Sequence, residues 1–117
     1  MNLERQQFEA EFFKALSHPL RIRILELLAE GDKNVNELQT RIGLEGSAVS
    51  QQLSVLRAKN IVRGEKDGNR VVYTLQDPMI MDLLQIARQL FNNHLIDTIT
   101  KLDKFNDAEK QEPATAD

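Results

Sequence analysis

Between Asn34 and Lys59 the sequence places two amphipathic segments around a short glycine-bounded turn, and this restricts the fold more than any other feature. Asn34 followed three residues later by Glu37 has the form of a capping box. It predicts a short helix from Val35 to about Ile42, with Leu38 inward and Gly43 closing it. After the turn Leu44-Glu45-Gly46, a second helix is expected from Ser47 to Lys59. Val49, Leu53 and Leu56 fall on one of its faces with Val55 flanking, and its other face is small and polar. Two short helices joined in this way form a helix-turn-helix, whose second helix can enter a DNA major groove.

The flanking segments read as further helices and a hairpin. Phe8, Phe12, Phe13 and Leu16 recur at helical spacing, which predicts an amphipathic helix from about Leu3 to Leu16. Ser17-His18-Pro19 breaks it, and Pro19 suits the first position of the next helix, where Leu20, Ile24, Leu27 and Leu28 form a buried face that Gly31 ends. Ile61 to Lys66 and Arg70 to Leu75 are β-rich and flank Asp67-Gly68-Asn69, the pattern of a hairpin. Asp77-Pro78 then opens a long helix. Its stripe Ile80, Leu83, Leu84, Ala87, Leu90, Phe91, Leu95, Thr98 and Leu102 exceeds what so small a domain needs for its own core, and such stripes usually find a partner.

The 117 residues leave room for one domain, expected over residues 1–105, with residues 106–117 as a disordered polar tail lacking core residues. Aromatic residues make up only 5%, so the core is expected to be mostly aliphatic. The net charge of −3 argues against a nucleic-acid partner until it is located. From Asp97 onward, six carboxylates face three lysines, which accounts for the whole excess, whereas residues 38–76 carry six cations against three carboxylates. The chain has no cysteine, which removes disulfides, thiolate metal sites and thiol redox sensing. No charged-then-apolar leader and no apolar run of membrane-spanning length is found, so a cytoplasmic protein is expected.

The stretches Ala15 to Leu25 (ALSHPLRIRIL), Val49 to Arg57 (VSQQLSVLR) and Gly68 to Tyr73 (GNRVVY), in this order, resemble the ArsR/SmtB family of winged-helix repressors. The resemblance covers roughly Phe8 to Leu95. It implies a mostly α winged helix-turn-helix: four helices, a small β-hairpin wing, then a fifth helix. It also implies a homodimer formed through the first and last helices, with the fourth helix in the major groove. A transcriptional repressor that binds a palindromic operator is therefore expected.

The residues agree with that implication. Ser47, Ala48, Ser50, Gln51 and Ser54 are short or amide-bearing, so a helix presenting them can approach base edges closely, and Gln51 or Gln52 could pair with adenine. Arg57, Lys66 and Arg70 are placed to meet phosphate. The plainer alternative is a solvated helix surface, but such surfaces favour Lys and Glu over Ser, Ala and Gln. Glu45-Gly46 departs from the family, which often has Ser before this helix; Glu45 would cap weakly and repel phosphate. Phe8, Phe12, Leu83, Leu90 and Phe91 are the expected dimer interface. The competing function is a winged-helix protein-interaction module without DNA, which exposed apolar residues on the fourth helix would favour.

The sensing positions of the family are altered here. Where metal sensors of the family often have two cysteines at the start of the third helix, this chain has Asn34-Val35-Asn36, and amides do not replace thiolates for soft metals. The family's last-helix site retains only Asp77, since the aligned positions are Met79, Leu90 and Asn93. His18 and His94 are more simply a helix-start residue and an interfacial one. No metal site and no cofactor are expected. No phosphate loop or nucleophile elbow is present, so an enzyme is not expected. An inducer, if one exists, is expected to be neither a metal nor a thiol signal, and Phe12, Phe13, Phe91 and His94 are the candidate pocket for an apolar or small organic ligand.

Overall fold

The structure, a computed structural model, describes residues 1–111. It contains helices α1 (Glu4–Leu16), α2 (Pro19–Ala29), α3 (Val35–Ile42), α4 (Gly46–Ala58) and α5 (Met79–Gln111), with strands β1 (Lys33–Asn34), β2 (Val62–Asp67) and β3 (Arg70–Leu75). The chain divides into a unit from Met1 to Met81 and a second unit that is α5 from Asp82 onward.

Local chemistry sets most boundaries in the first unit. Pro19 opens α2, and the neighbouring His18 caps it, its Nδ1 accepting the Leu20 N–H at 3.1 Å. The capping box at α3 is complete: Asn34 Oδ1 accepts from the Glu37 N–H at 2.9 Å, and Glu37 Oε1 accepts from the Asn34 N–H at 3.1 Å. Gly43 closes that helix as expected. Asp77 precedes α5, its Oδ1 accepting the Met79 N–H at 2.9 Å.

The core joins α2, α3, α4 and the sheet. Ile24, Leu25 and Leu27 of α2, Leu38 of α3 and Val49, Leu53 and Leu56 of α4 are fully buried, with Val62 and Leu75 closing it from the strands. Among the described residues no aromatic is buried, as composition suggests. Leu25 is buried although it lies outside the expected α2 stripe, and Leu20 is only half-buried. Each such aliphatic side chain contributes about 1.5–3 kcal/mol on burial.

The hairpin forms with Val62 opposite Leu75 and Asp67 opposite Arg70. Its loop is therefore the two residues Gly68 and Asn69, of which only Gly68 has positive φ (65°), the arrangement of a type II′ turn. Gly64 lies opposite Tyr73, where a Cβ would come within 2.9 Å of Val71 Cγ1 and 3.1 Å of the Tyr73 ring. This close approach excludes a side chain without movement of the neighbours. The third strand was not expected: β1 pairs antiparallel with β3, Lys33 opposite Tyr73, to give the order β1-β3-β2.

In the second unit α5 continues to Gln111, beyond Asn106, where the polar tail was expected to begin. Ala108, Glu109, Lys110 and Gln111 are all good helix formers, so local propensity favours the extension of the helix. The remainder of the expected tail, residues 112–117, lies outside the described residues. None of the described helices is long and apolar enough to cross a membrane.

Candidate nucleic-acid interface

The helix-turn-helix and hairpin form a winged helix-turn-helix whose α4 is divided lengthwise. Val49, Leu53 and Leu56 are buried, while Ser47, Ser50, Gln51, Ser54 and Arg57 are exposed and Ala48 and Gln52 are half-buried. No large apolar side chain of α4 is exposed. The Ser54 hydroxyl donates to the Ser50 carbonyl at 3.1 Å, which folds it against the helix. The Gln51 side chain has no hydrogen-bond partner among the described residues. Gln52 does: its Oε1 accepts from Arg21 Nε at 2.8 Å, so it is not the free amide that the sequence suggests.

The start of α4 is open. Glu45 stands at the N-cap with extended backbone and makes no side-chain capping bond, as its weak capping character implies. Only the carbonyl of Glu45 is used there, accepting from the N–H groups of Ala48 and Val49 at 3.1 and 3.2 Å. The first turn of α4 thus presents backbone donors that no Glu45 side-chain cap occupies.

The six cations from α3 to β3 fall into two groups. Arg41 binds Glu30 through both guanidinium nitrogens at 3.1 and 3.2 Å, Lys59 pairs with Glu11 at 3.1 Å, and Arg63 pairs with Glu65 at 3.3 Å. The Arg41 hydrogen bonds hold the Glu30 carboxyl below the ordinary carboxylate value. Arg57, Lys66 and Arg70 are exposed and have no carboxylate partner among the described residues. Lys66 and Arg70 stand on the two strands beside the hairpin turn.

The residues singled out for sensing are placed as follows. Asn34 is buried and occupied by its capping box, and Asp77 caps α5, so neither fits a metal-ligand set. Among the described residues no three His, Cys, Asp or Glu side chains cluster closely enough to hold a metal ion. Phe12 and Phe13 meet edge to face at 5.9 Å and line a cavity of about 650 Å³ with Phe8, Ala58, Asn60 and the Glu11–Lys59 pair. That lining comes entirely from the first unit. Phe91 and His94 belong to α5 in the second unit and are exposed there. The Arg21–Gln52 bond was not anticipated, because the partners are 31 residues apart and neither belongs to a pairing motif.

Comparison with known proteins gives one consistent result. A family described as "Bacterial regulatory protein, arsR family" matches residues 18–63. The HTH-type transcriptional regulator Rv0081 of Mycobacterium tuberculosis is 47% identical over 98 residues, 83% of this chain and 86% of that protein. Its crystal structure matches with a TM-score of 0.74, covering 80% of this chain and 95% of that one. A transcriptional repressor SmtB homolog of Synechocystis is 39% identical over 83 residues, 71% of this chain and 63% of its own length. A homodimeric winged helix-turn-helix DNA-binding domain of Mycobacterium bovis, a possible ArsR-family regulator, matches with a TM-score of 0.71 at 26% identity. That match covers 79% of this chain and 85% of the other.

Proposed function

The chain belongs to the ArsR family of bacterial regulatory proteins, and from that premise we propose that it is a homodimeric repressor that binds a palindromic operator. The family regulates transcription and is not a family of enzymes, and its winged helix-turn-helix is a DNA-binding domain. The observation that carries the proposal is the contrast, within the stretch from α3 to β3, between paired and unpaired cations. Arg57 is exposed on α4 and Lys66 and Arg70 beside the hairpin turn, and all three remain available to phosphate.

In this reading Ser47, Ala48, Ser50, Gln51, Gln52 and Ser54 face the major groove, where short side chains let α4 approach base edges. Arg57 grips backbone beside it, and Lys66 and Arg70 grip it from the wing. The open first turn of α4 adds backbone N–H donors toward an anion, which offsets the repulsion from Glu45. Phe8 and Phe12 of α1 and Leu83, Leu90 and Phe91 of α5 form the dimer interface, supported by the long exposed apolar surface of α5. Two-fold symmetry then sets the half-sites about one DNA turn apart.

An inducer works here only by binding the DNA-competent and incompetent states unequally. The cavity beside Phe12 and Phe13 favours an apolar or small organic ligand over a metal or an oxidant. Selection of bound duplexes from a random pool tests the proposal. A symmetric sequence should be enriched, and Gln51→Ala should relax preference at one position of each half-site by roughly fivefold or more. Absence of any enriched sequence would refute the reading.

A further inference from the structure

The Glu11–Lys59 ion pair belongs to the walls of two cavities in the first unit, which therefore adjoin. One is the apolar cavity of about 650 Å³ walled by Phe8, Phe12, Phe13 and Ala58. The other, of about 330 Å³, is lined by Glu11, Lys14 and Ala15 of α1, Arg21 of α2, and Val55 and Lys59 from α4 and its C-terminal cap. Three of the chain's five phenylalanines line the first cavity and none of the three is buried, so their apolar surface is left for a ligand.

The charges around these cavities do not cancel. Glu9, on the apolar cavity, pairs with Arg5 at 3.4 Å, and Glu11 pairs with Lys59 at 3.1 Å, so each carboxylate already has a cation. Lys14 is exposed and has no carboxylate partner among the described residues. Arg21 has none either. Its Nε donates to Gln52 Oε1 at 2.8 Å and its Nη1 to the Ala15 carbonyl at 3.2 Å, which fixes the guanidinium and leaves the two N–H groups of Nη2 unused among the described residues. Two cations are thus left over beside an apolar hollow, and an apolar wall with a few convergent polar groups is the usual make of a small-molecule site.

The combination selects the ligand. A DNA phosphate would engage the cations and leave the phenylalanines uncovered, and a neutral apolar molecule would leave the cations unused. Resting on the reading of the Phe12–Phe13 cavity as a place for an apolar ligand, we propose that the two cavities form one site for an amphiphilic carboxylate. Lys14 and Arg21 hold its head through charge-assisted hydrogen bonds, and an alkyl or aryl body lies against the phenylalanines. Lys59 is a further donor to the head, for which Glu11 competes.

Calorimetric titration of the full-length protein with octanoate, 1-octanol and acetate tests this, on the wild type and on Lys14→Gln, Glu11→Gln and Phe13→Ala. Octanoate should bind about tenfold more tightly than octanol, and acetate, a head without a body, should not bind measurably. Lys14→Gln removes an exposed, unpartnered charge, so it should fold normally, weaken octanoate about fivefold and leave octanol unchanged. Glu11→Gln should act in the opposite sense and tighten octanoate, because it removes the competing carboxylate, whereas Phe13→Ala should weaken both ligands. Octanol binding as tightly as octanoate, octanoate affinity unchanged in Lys14→Gln, or weakened octanoate binding in Glu11→Gln would each overturn the carboxylate site while leaving the apolar cavity as a ligand site. Binding of neither octanoate nor octanol would overturn that reading of the cavity and this inference with it.

Discussion

The helices α4 and α5 carry the two halves of the proposed function, and they find their stability in different places. In α4 three aliphatic side chains are fully buried in the chain's own core, which leaves its other face free to be polar and sparsely charged. In α5, from Ile86 to Phe105, eight large apolar side chains are each 46–66% exposed. Apolar surface on that scale marks an interaction site. The difference teaches that α4 is held by its own fold and so can present chemistry to a ligand, whereas the apolar surface of α5 is left for a partner, which in the proposed function is a second copy of the chain.

Substitutions in the two helices should therefore fail in different ways. Leu53→Ala, in the buried face of α4, should destabilise the first unit by roughly 2–5 kcal/mol at any protein concentration, measured by denaturant unfolding. An effect below that of a surface substitution would mean α4 is not anchored by the core. Leu90→Glu on α5 should leave the secondary structure and unfolding of the first unit intact while converting a micromolar dimer to monomer in sedimentation. A wild type that is already monomeric, or a variant that remains dimeric, would break the comparison.

The smallest effect belongs to neither helix and serves as a control for both. Arg41 holds the Glu30 carboxyl below its ordinary value, so the pair adds stability above the unfolded carboxylate pKa and loses it as pH falls through the lowered folded value. Arg41→Ala should be slightly less stable than wild type near neutrality, and the difference should vanish in acid. Because the pair is exposed, the effect should also shrink with salt. A difference that grows in acid would reverse the assignment.

Much of this contrast is legible in the sequence. Asn34 and Glu37, Pro19, and Gly68 act through bonds or dihedrals within a few residues, so their caps and turn follow from local order. Helical periodicity likewise separates Val49, Leu53 and Leu56 from Ser50, Gln51 and Ser54. What the sequence hides is non-local. β1 has only two residues, too few for an alternating pattern, and exists because Lys33 and Asn34 pair with Tyr73 and Val72 about forty residues later. The inequality of Gln51 and Gln52 depends on Arg21, which no spacing rule connects to α4. The extension of α5 past Asn106 escapes a reading that seeks core residues, since it is helix propensity and not an apolar stripe that favours it in the sequence.

The central claim is that Arg57, Lys66 and Arg70 are unpaired because DNA phosphate is their partner, and the salt dependence of affinity for the selected operator measures it most directly. Each phosphate neutralised contributes about −0.9 to the slope of log affinity against log salt. The wild type should therefore weaken steeply with salt, and Arg70→Ala should weaken binding to every sequence and flatten the slope by about one unit. Affinity independent of salt, or an Arg70→Ala slope equal to the wild type's, would contradict the account.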